Sequence, residues 1–144
     1  HVHCWGVDDG SSYDYGQVSD APNYEFIQVT SGYRHSCGLD NEGSVYCWGA
    51  NNFGQSTPPI GDFINISSGG FHSCGIEVNG SIQCWGRDNY NQISDKPTGH
   101  FIQISSGGSH SCAIEVNGSI QCWGRNFHDQ STPPSDFLLW KGAQ

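Results

Sequence analysis

The sequence repeats itself with a period of 37 or 38 residues, and this feature constrains the fold more than any other. A Cys-Trp-Gly string begins at four positions, which are Cys4, Cys47, Cys84 and Cys122. A His-Ser-Cys string precedes three of them, beginning at His35, His72 and His110. The first interval, 43 residues, is longer because of the loop 7–22. Periods of this length are typical of architectures in which each copy is one small unit packed against its neighbours.

Each copy predicts three short strands. The first strand covers 26–29, 63–66 or 101–104, and a Ser/Gly-rich turn such as 67–70 follows it. The second strand carries His-Ser-Cys and the third ends in Cys-Trp-Gly. Between these two, the segments 41–43, 78–80 and 116–118 each end in glycine. They predict three-residue hairpin loops, in which a type I turn is followed by glycine at positive φ.

The hairpin register predicts the disulfides, because cross-strand neighbours have Cβ atoms about 4.5–5.5 Å apart. The predicted pairs are Cys37–Cys47, Cys74–Cys84 and Cys112–Cys122. Period-two alternation then places aliphatic side chains on the cysteine face, namely Leu39, Val45, Ile76, Ile82, Ile114 and Ile120. Turn chemistry, alternation and cysteine spacing therefore agree on one hairpin per repeat.

A single hairpin cannot bury both of its faces, so the copies must stack. A closed ring of small sheets, a β-propeller, also protects the strand edges. The predicted fold is therefore an all-β propeller with one disulfide-stapled hairpin per blade. Its predicted divisions are a partial repeat at 1–23, repeats at 24–60, 61–98 and 99–135, and a partial closing repeat at 136–144.

Composition narrows the classes of function. Seven cysteines in 144 residues favour an oxidising compartment and predict a secreted, extracellular protein. A net charge of -9 argues against a nucleic-acid partner. No apolar stretch approaches the roughly 18 residues of a membrane helix, so membrane insertion is not expected. Methionine and a signal peptide are absent, which predicts a processed chain or a fragment.

The copy at 101–124, continued by Arg-Asn and Gln130, resembles the regulator-of-chromosome-condensation repeat. The resemblance covers about residues 24–134 and implies a β-propeller with one blade per repeat. Its Gly-Gly-x-His segment and Trp-Gly pair are similar to the family's structural signature. The family pattern Asn-x-x-Gly-Gln is kept at 51–55, whereas Asn91 and Asp129 replace its glycine. The Cys-Trp-Gly variant resembles the secreted branch.

The resemblance implies binding rather than one particular chemistry. Members of the family include a nucleotide-exchange factor, plant receptor ectodomains and a bacterial enzyme inhibitor. Fold alone therefore does not decide the function of this chain.

The two ends predict complementary fragments of one blade. Residues 1–6 resemble a third strand, and residues 137–144 resemble a first strand with its turn. We expect the ring to close within one chain or, preferentially, across a homodimer, since symmetric dimers are the commonest oligomers. Cys4 has no local partner and is predicted to bridge to its counterpart in a second copy, with a free thiol as the alternative.

Candidate metal and catalytic groups predict neither a metal site nor an enzyme. The three repeat histidines could meet as ligands, but close pairs such as Cys-x-x-Cys are missing, so we predict a structural role for them. The acidic loop 8–14 does not match an EF-hand and is predicted to be solvated. Copper binding by His1 and His3 requires His1 to be the mature terminus. No nucleophile elbow, phosphate loop or His-Glu-x-x-His string occurs, so neither an enzyme nor a cofactor is expected.

The loops after each Trp-Gly vary although the repeats are otherwise nearly identical. Each combines an aromatic or imidazole ring with Asn, Asp or Arg, which suits the apolar face and the hydroxyls of a sugar. The alternative is that the rings pack between blades and the polar groups make turns. The predicted ligand-binding residues are Asp14, Tyr15, Asn51, Asn52, Phe53, Arg87, Asp88, Asn89, Tyr90, Arg125, Asn126, Phe127, His128 and Asp129.

These loops predict a secreted lectin that binds glycans or glycoproteins through one weak site per blade, strengthened by avidity. One alternative is a protein-binding propeller, a receptor-ectodomain piece or an inhibitor, with one asymmetric face in which the first repeat matters most. Another is a filament-forming structural repeat. Sequons begin at Asn65, Asn79 and Asn117, and the last two lie at hairpin tips, where we predict glycosylation.

Overall fold

The computed structural model describes residues 1–134, which form three antiparallel sheets of three strands each. Within each sheet the strands lie side by side in chain order. The described residues contain no helix long and apolar enough to cross a bilayer. The strands are β1 Gln28–Ser31, β2 His35–Leu39, β3 Val45–Gly49, β4 Phe63–Ser68, β5 His72–Glu77, β6 Ile82–Gly86, β7 Phe101–Ser106, β8 His110–Glu115 and β9 Ile120–Gly124. Each sheet is one blade, numbered one to three along the chain.

The predicted hairpin in each blade is confirmed. The two cysteines of a blade face each other across the central and third strands, with Cα atoms 4.0–4.1 Å apart, and all three predicted disulfides are present. Gly43, Gly80 and Gly118 have φ values of 86–90°, as the three-residue loop requires. The glycine amide closes the type I turn by donating to Asp40, Glu77 or Glu115.

The first strands differ from the prediction. Strand β1 begins two residues later than expected, at Gln28. Strands β4 and β7 continue through the two serines that we predicted to lie in the turn. The serines stay in the ladder because their polar groups bond to neighbouring strands: the Ser68 amide donates to Oγ of Thr30 at 2.9 Å. The turn itself is shifted to the glycines that follow.

The prediction of a third strand at 1–6 is wrong for the described part of the chain, in which these residues form no strand. A strand needs a hydrogen-bonded neighbour, and no second strand lies beside this segment in the described part of the chain. The predicted closing strand at 136–144 lies outside the described residues. The predicted repeat boundaries and the mode of ring closure therefore stay predictions.

The hydrophobic core lies between blades. The cysteine face of blade one, with Cys37 and Leu39, forms one buried cluster with Phe63, Ile66 and Trp85 of blade two. A second cluster joins the cysteine face of blade two to Phe101, Ile104, Ala113 and Trp123 of blade three. Each blade therefore has two unlike faces, a cysteine face and a tryptophan face, and the stack alternates them.

Polar bonds fix the register between blades. The side chain of Gln28 bonds both the amide and the carbonyl of Ile66 in the next blade, at 3.0 and 2.8 Å. At the hairpin tips, the amide of Phe63 donates to the carbonyl of Gly43 and that of Phe101 to Gly80. Because each bond pairs a specific position in one blade with a specific position in the next, sliding of the blades would break all of them.

Two of the three repeat histidines, His35 and His72, are buried and bond to the next blade. Nε2 of His35 is hydrogen-bonded to Oγ of Ser73, and Nε2 of His72 to Oγ of Ser111, both at 2.9 Å. Burial lowers the pKa of His35 and of His72 to about 4, and the neighbouring imidazoles His35 and His110 further lower that of His72. These histidines are therefore neutral side chains joining blade to blade.

We expect Trp85→Ala to lower the free energy of unfolding by about 3–5 kcal/mol. The indole is 6% exposed within the cluster between blades one and two, and its N–H donates to the Gln55 carbonyl at 3.0 Å. Trp5→Ala is the matched control, since Trp5 belongs to the same motif but is 88% exposed. Denaturant unfolding measures both variants; comparable losses would contradict the inter-blade core.

We expect stability to fall as the pH drops from about 7 to about 4. The folded-state pKa of about 4 for His35 and His72 lies below the ordinary value of 6.5, so protons bind preferentially to the unfolded chain. The stabilisation is complete above pH 6.5 and is lost towards pH 4, by up to about 3 kcal/mol for each histidine.

Urea unfolding across that range measures the pH dependence. His72→Gln should make it shallower without abolishing it, because the amide can bond Ser111 without titrating while His35 still titrates. His128→Gln is the control, because His128 is exposed. An unchanged pH dependence in His72→Gln would show that other groups cause it.

Sequon occupancy should follow exposure. Asn79 and Asn117 are exposed at hairpin tips, whereas Oδ1 of Asn65 is buried within strand β4. After expression in a glycosylating secretory host, peptide mass spectrometry should find glycans on Asn79 and Asn117 and little on Asn65. Occupancy in the reverse order would contradict the placement of β4.

Candidate functional site

Three of the predicted binding loops, those after Gly49, Gly86 and Gly124, leave one end of the blades, which we call the loop face. It is where the central strands begin and the third strands end, so it also carries the turns that precede the repeat histidines. The opposite end carries the hairpin loops and is called the tip face. Because the strands are antiparallel, the post-Trp loops and the pre-histidine turns meet at the same edge of each sheet.

The second residue of each full loop after Trp-Gly holds that loop's own turn. Oδ1 of Asn51 accepts from the Ser56 amide at 2.9 Å, and Oδ1 of Asp88 accepts from the Ile93 amide at 2.8 Å. Oδ1 of Asn126 accepts from the Ser131 amide at 2.9 Å. In the described chain, these side chains are thus bound to their own loops, which is the turn-making alternative considered above for Asn51 and Asn126.

A glutamine at the end of each loop anchors it to the next blade, a role that the sequence analysis missed. The side chains of Gln55 and Gln92 are buried and bond to Asn52 and Asn89. The backbone carbonyls of three such glutamines accept from tryptophan indole N–H groups at 2.9–3.1 Å, pairing Gln17 with Trp48, Gln55 with Trp85 and Gln92 with Trp123. The recurring Gln in the Asn-x-x-Gly-Gln pattern was the available signal.

The two positions at which the family glycine is replaced keep the glycine conformation. Asn91 and Asp129 have φ values of 59° and 58°, and Gly54 at the equivalent position has 80°. Asn and Asp tolerate this left-handed region better than other side chains do. All three full loops therefore share one backbone course, and they differ in their side chains.

The third loop forms a ring–arginine cluster. Tyr90 and Phe127 meet edge to face with centroids 5.6 Å apart, and the Arg125 guanidinium lies 5.2 and 5.0 Å from their centroids. Phe127 is 69% exposed, and His128 and Asp129 beside it are also exposed. The structure thus brings these predicted site residues together at the boundary of blades two and three.

An aromatic strip crosses the boundary of blades one and two. We define it as Tyr33, Phe71 and Phe53, with Arg87 beside them. Phe71 contacts Tyr33 at 5.5 Å and Phe53 at 5.6 Å between centroids, both edge to face. Arg87 lies 4.8 Å from the Phe53 centroid and 5.6 Å from that of Phe71. Tyr33 is 69% and Phe53 is 40% exposed, so the strip is open to solvent.

The strip depends on two glycines. Tyr33 stands where blades two and three have Gly70 and Gly108. Its backbone amide donates to the Gly70 carbonyl at 3.1 Å. A Cβ on Gly70 would lie 2.8 Å from the Tyr33 ring, and one on Gly108 would lie 2.9 Å from its hydroxyl. The ring therefore lies over the glycine turns of both following blades.

A second group, the Arg34 cluster, adjoins the strip. Arg34 donates to the Tyr15 hydroxyl at 2.7 Å, and its guanidinium lies 5.0 Å from the Tyr15 centroid and 5.6 Å from that of Tyr13. Both carboxylate oxygens of Asp14 accept backbone N–H groups in this insertion, from Gly10 and Gly16. The hydroxyl and amide of Ser11 lower the pKa of Asp9 in the same loop.

The sequence analysis predicted Tyr15, Phe53 and Arg87 but missed Tyr33, Arg34, Phe71 and Tyr13. The signal that was missed is a departure from the repeat's Gly-Gly-x-His segment: the first copy reads Gly32-Tyr33-Arg34-His35 at that place. All three arginines of this acidic chain lie on the loop face, each over two aromatic rings. Among residues 1–134, no group of three His, Cys, Asp or Glu side chains is arranged to hold a metal ion.

Comparison with known proteins identifies the repeat. The family model described as "Regulator of chromosome condensation (RCC1) repeat" matches three times, at residues 26–55, 63–92 and 101–130. These matches cover more than half of the chain, and each spans one blade from its first strand to the anchoring glutamine. Among curated protein sequences, none matches the chain significantly.

The solved structures that are similar to this chain include two plant receptor ectodomains. The ectodomain of the Physcomitrella patens receptor kinase CR4 is 30% identical, with a TM-score of 0.69, and the match covers 82% of this chain and 35% of that one. The CRINKLY WD40 ectodomain of the Arabidopsis thaliana receptor kinase ACR4 is 26% identical, with a TM-score of 0.63 and coverage of 78% and 40%.

Prp20p from Saccharomyces cerevisiae shares the fold at 20% identity, with a TM-score of 0.65 and coverage of 81% and 34%. The chain thus spans 34–40% of the length of these structures. Three matched repeats, one for each blade, show that this chain belongs to the RCC1 repeat family of β-propeller proteins.

Proposed function

We propose that this chain is part of an extracellular protein-binding propeller, and that the partner contacts the loop face of blades one and two. The observation that carries this proposal is the continuous exposed surface made by the aromatic strip and the Arg34 cluster. Tyrosine, phenylalanine and arginine are enriched at protein–protein interfaces, and tyrosine and arginine are frequent among the residues that dominate binding energy. The three disulfides and the receptor-ectodomain relatives support an extracellular location.

The asymmetry of this surface favours one partner protein over repeated small ligands. At the Tyr33 position the other blades have glycine, and at the Arg34 position they have Phe71 and Ser109. The exposed rings therefore concentrate on the first two blades, where the repeats diverge most. A multivalent lectin needs similar sites on each blade, whereas one protein partner needs a single large patch.

The arginines give the surface its charge selectivity. Each guanidinium lies over aromatic rings, and within residues 1–134 none of the three forms an ion pair with a carboxylate. Stacked guanidinium groups keep their in-plane N–H donors available for carboxylates and carbonyls. A partner that presents acidic side chains or exposed backbone carbonyls beside an apolar patch fits this surface.

Carbohydrate binding is the second candidate, and one observation supports it. The ring–arginine arrangement recurs at the same loop position, as Phe53 with Arg87 and Tyr90 with Phe127 and Arg125. Two features oppose it: the predicted Asn and Asp side chains bond within their loops, and a guanidinium lies over each ring that a sugar would stack on.

Two parallel screens test the proposal, a displayed library of extracellular protein domains and a glycan array. We expect selective binding to a protein domain and no sugar-inhibitable glycan binding. Tyr33→Ala should weaken the protein interaction about 30-fold or more, as loss of an interface hot spot does. Phe127→Ala is the matched control, because Phe127 is equally exposed but lies on the third loop, outside the strip.

Both substitutions replace side chains that are 69% exposed, so thermal unfolding should change little in either variant. Binding to the glycan array that is lost in Tyr90→Ala and Phe127→Ala but kept in Tyr33→Ala would overturn the protein-binding proposal and establish the lectin.

A further inference from the structure

A cavity of about 480 Å³ lies between the N-terminal segment and blade one. One wall is formed by residues 2–7, and the other includes Val29, Ser31 and the segment 32–36. This second wall is the tryptophan face of blade one. In blades two and three the same face is covered by the cysteine face of the preceding blade.

The exposure of Val29 shows that the cavity lies where a preceding blade would pack. Val29 faces Gly38 across the sheet, as Ile66 faces Gly75 and Ile104 faces Ala113, so the three residues are equivalent. Ile66 and Ile104 are 2% and 6% exposed beneath the preceding blade, whereas Val29 is 45% exposed. The apolar surface that a preceding blade would cover is therefore open here.

Ser36 lacks a partner that its equivalents have. Oγ of Ser73 bonds both Ser68 of its own blade and Nε2 of His35 from the preceding blade, and Ser111 likewise bonds Ser106 and His72. Ser36 bonds Ser31 at 3.0 Å, and among the described residues no histidine reaches it. Ser36 is 8% exposed and lines the cavity, so the unused bonding position points to an incoming histidine.

Cys4 supplies the third element, on the opposite wall. In every blade, the cysteine of Cys-Trp-Gly is bonded to the cysteine of a His-Ser-Cys strand beside it. Cys4 belongs to the same string, lines the cavity and is free among the described residues. The sulfur of Cys37 also lies 3.8 Å from Oγ of Ser73, so a cysteine on an incoming strand would lie close to Ser36.

We propose that this cavity is an acceptor site for a β-strand of the pattern Gly-x-His-Ser-Cys, supplied by another polypeptide segment. The histidine of that strand bonds Ser36, the residues around its cysteine cover Val29, and the cysteine forms a disulfide with Cys4. The bound strand would cover the tryptophan face of blade one in the same way that blade one covers blade two and blade two covers blade three. Tyr33 and Arg34 line both this cavity and the loop face, but the proposal invokes Cys4, Val29 and Ser36, which the loop-face proposal does not use.

A synthetic peptide with the sequence of residues 107–115, Gly-Gly-Ser-His-Ser-Cys-Ala-Ile-Glu, tests the site. Its cysteine is activated as a mixed disulfide with 2-thiopyridine. The Cys4 thiolate attacks the peptide sulfur, the new disulfide forms, and pyridine-2-thione leaves with the electron pair of the broken bond and takes up a proton. Absorbance of the released thione gives the rate, and mass spectrometry gives the site.

The matched control peptide exchanges Cys and Ala, which keeps the composition but moves the thiol to the other face of the strand. We expect the first peptide to react about tenfold faster or more at Cys4, because the acceptor site raises the effective concentration of its thiol. Val29→Asp should remove the difference, whereas Val78→Asp, at a 70% exposed hairpin tip, should not. Hydrogen exchange should slow around Val29 and Ser36 in the conjugate.

Equal rates for the two peptides, or no added protection around Val29 in the conjugate, would overturn the proposal. Recovery of the protein as a dimer bridged between two Cys4 residues, with no strand bound, would overturn it as well and would support the homodimer predicted from the sequence. These outcomes are measured at Cys4, Val29 and Ser36, outside the aromatic strip and the Arg34 cluster, so they leave the proposed function to its own test.

Discussion

The rest of the structure depends on the packing of unlike faces between neighbouring blades. A blade of three short strands has almost no interior, and its apolar residues are buried only when the cysteine face of one blade meets the tryptophan face of the next. The disulfide lies on one side of this contact, and phenylalanine, isoleucine and tryptophan side chains of the next blade pack against it. The glutamine carbonyls that accept the indole N–H groups then tie each loop to the same contact. The loops after each Trp-Gly and the core are thus positioned by one repeated interaction.

Much of this fold could be predicted from the sequence because the same local sequence patterns occur in all three repeats. Hairpin glycines, alternating aliphatic residues and cysteine spacing agree within each copy, so the register and the disulfides could be derived. The first strand was predicted less well. Residues such as Ser67 and Ser68 look like turn residues by propensity, yet bonds to the neighbouring blade keep them in the strand. These bonds are tertiary contacts, and the residues around the two serines give no indication of them.

The candidate site was predictable in its location but less so in its members. Variation among otherwise identical loops indicated the loop face, and Tyr15, Phe53 and Arg87 were found in this way. Tyr33 and Phe71 lie in a signature that was interpreted as structural, and only the packing of the turns shows that Phe71 contacts both Tyr33 and Phe53. Similarly, the Asn and Asp side chains have the chemistry of sugar ligands, but the loops use that chemistry to hold their own turns. Sequence identifies which groups are present, whereas the fold decides which of them remain available.

The placement of the disulfides has a mechanical consequence. Each of the three disulfides in residues 1–134 joins the two strands of a single hairpin, and none joins two blades. Tension applied along the chain therefore opposes only noncovalent contacts at each blade boundary, and the stack can come apart one blade at a time. Each released blade keeps a closed covalent loop that the pulling force cannot extend. We therefore expect the chain to yield one blade at a time, and reducing agents to increase its extended length by the residues between the two cysteines of each hairpin.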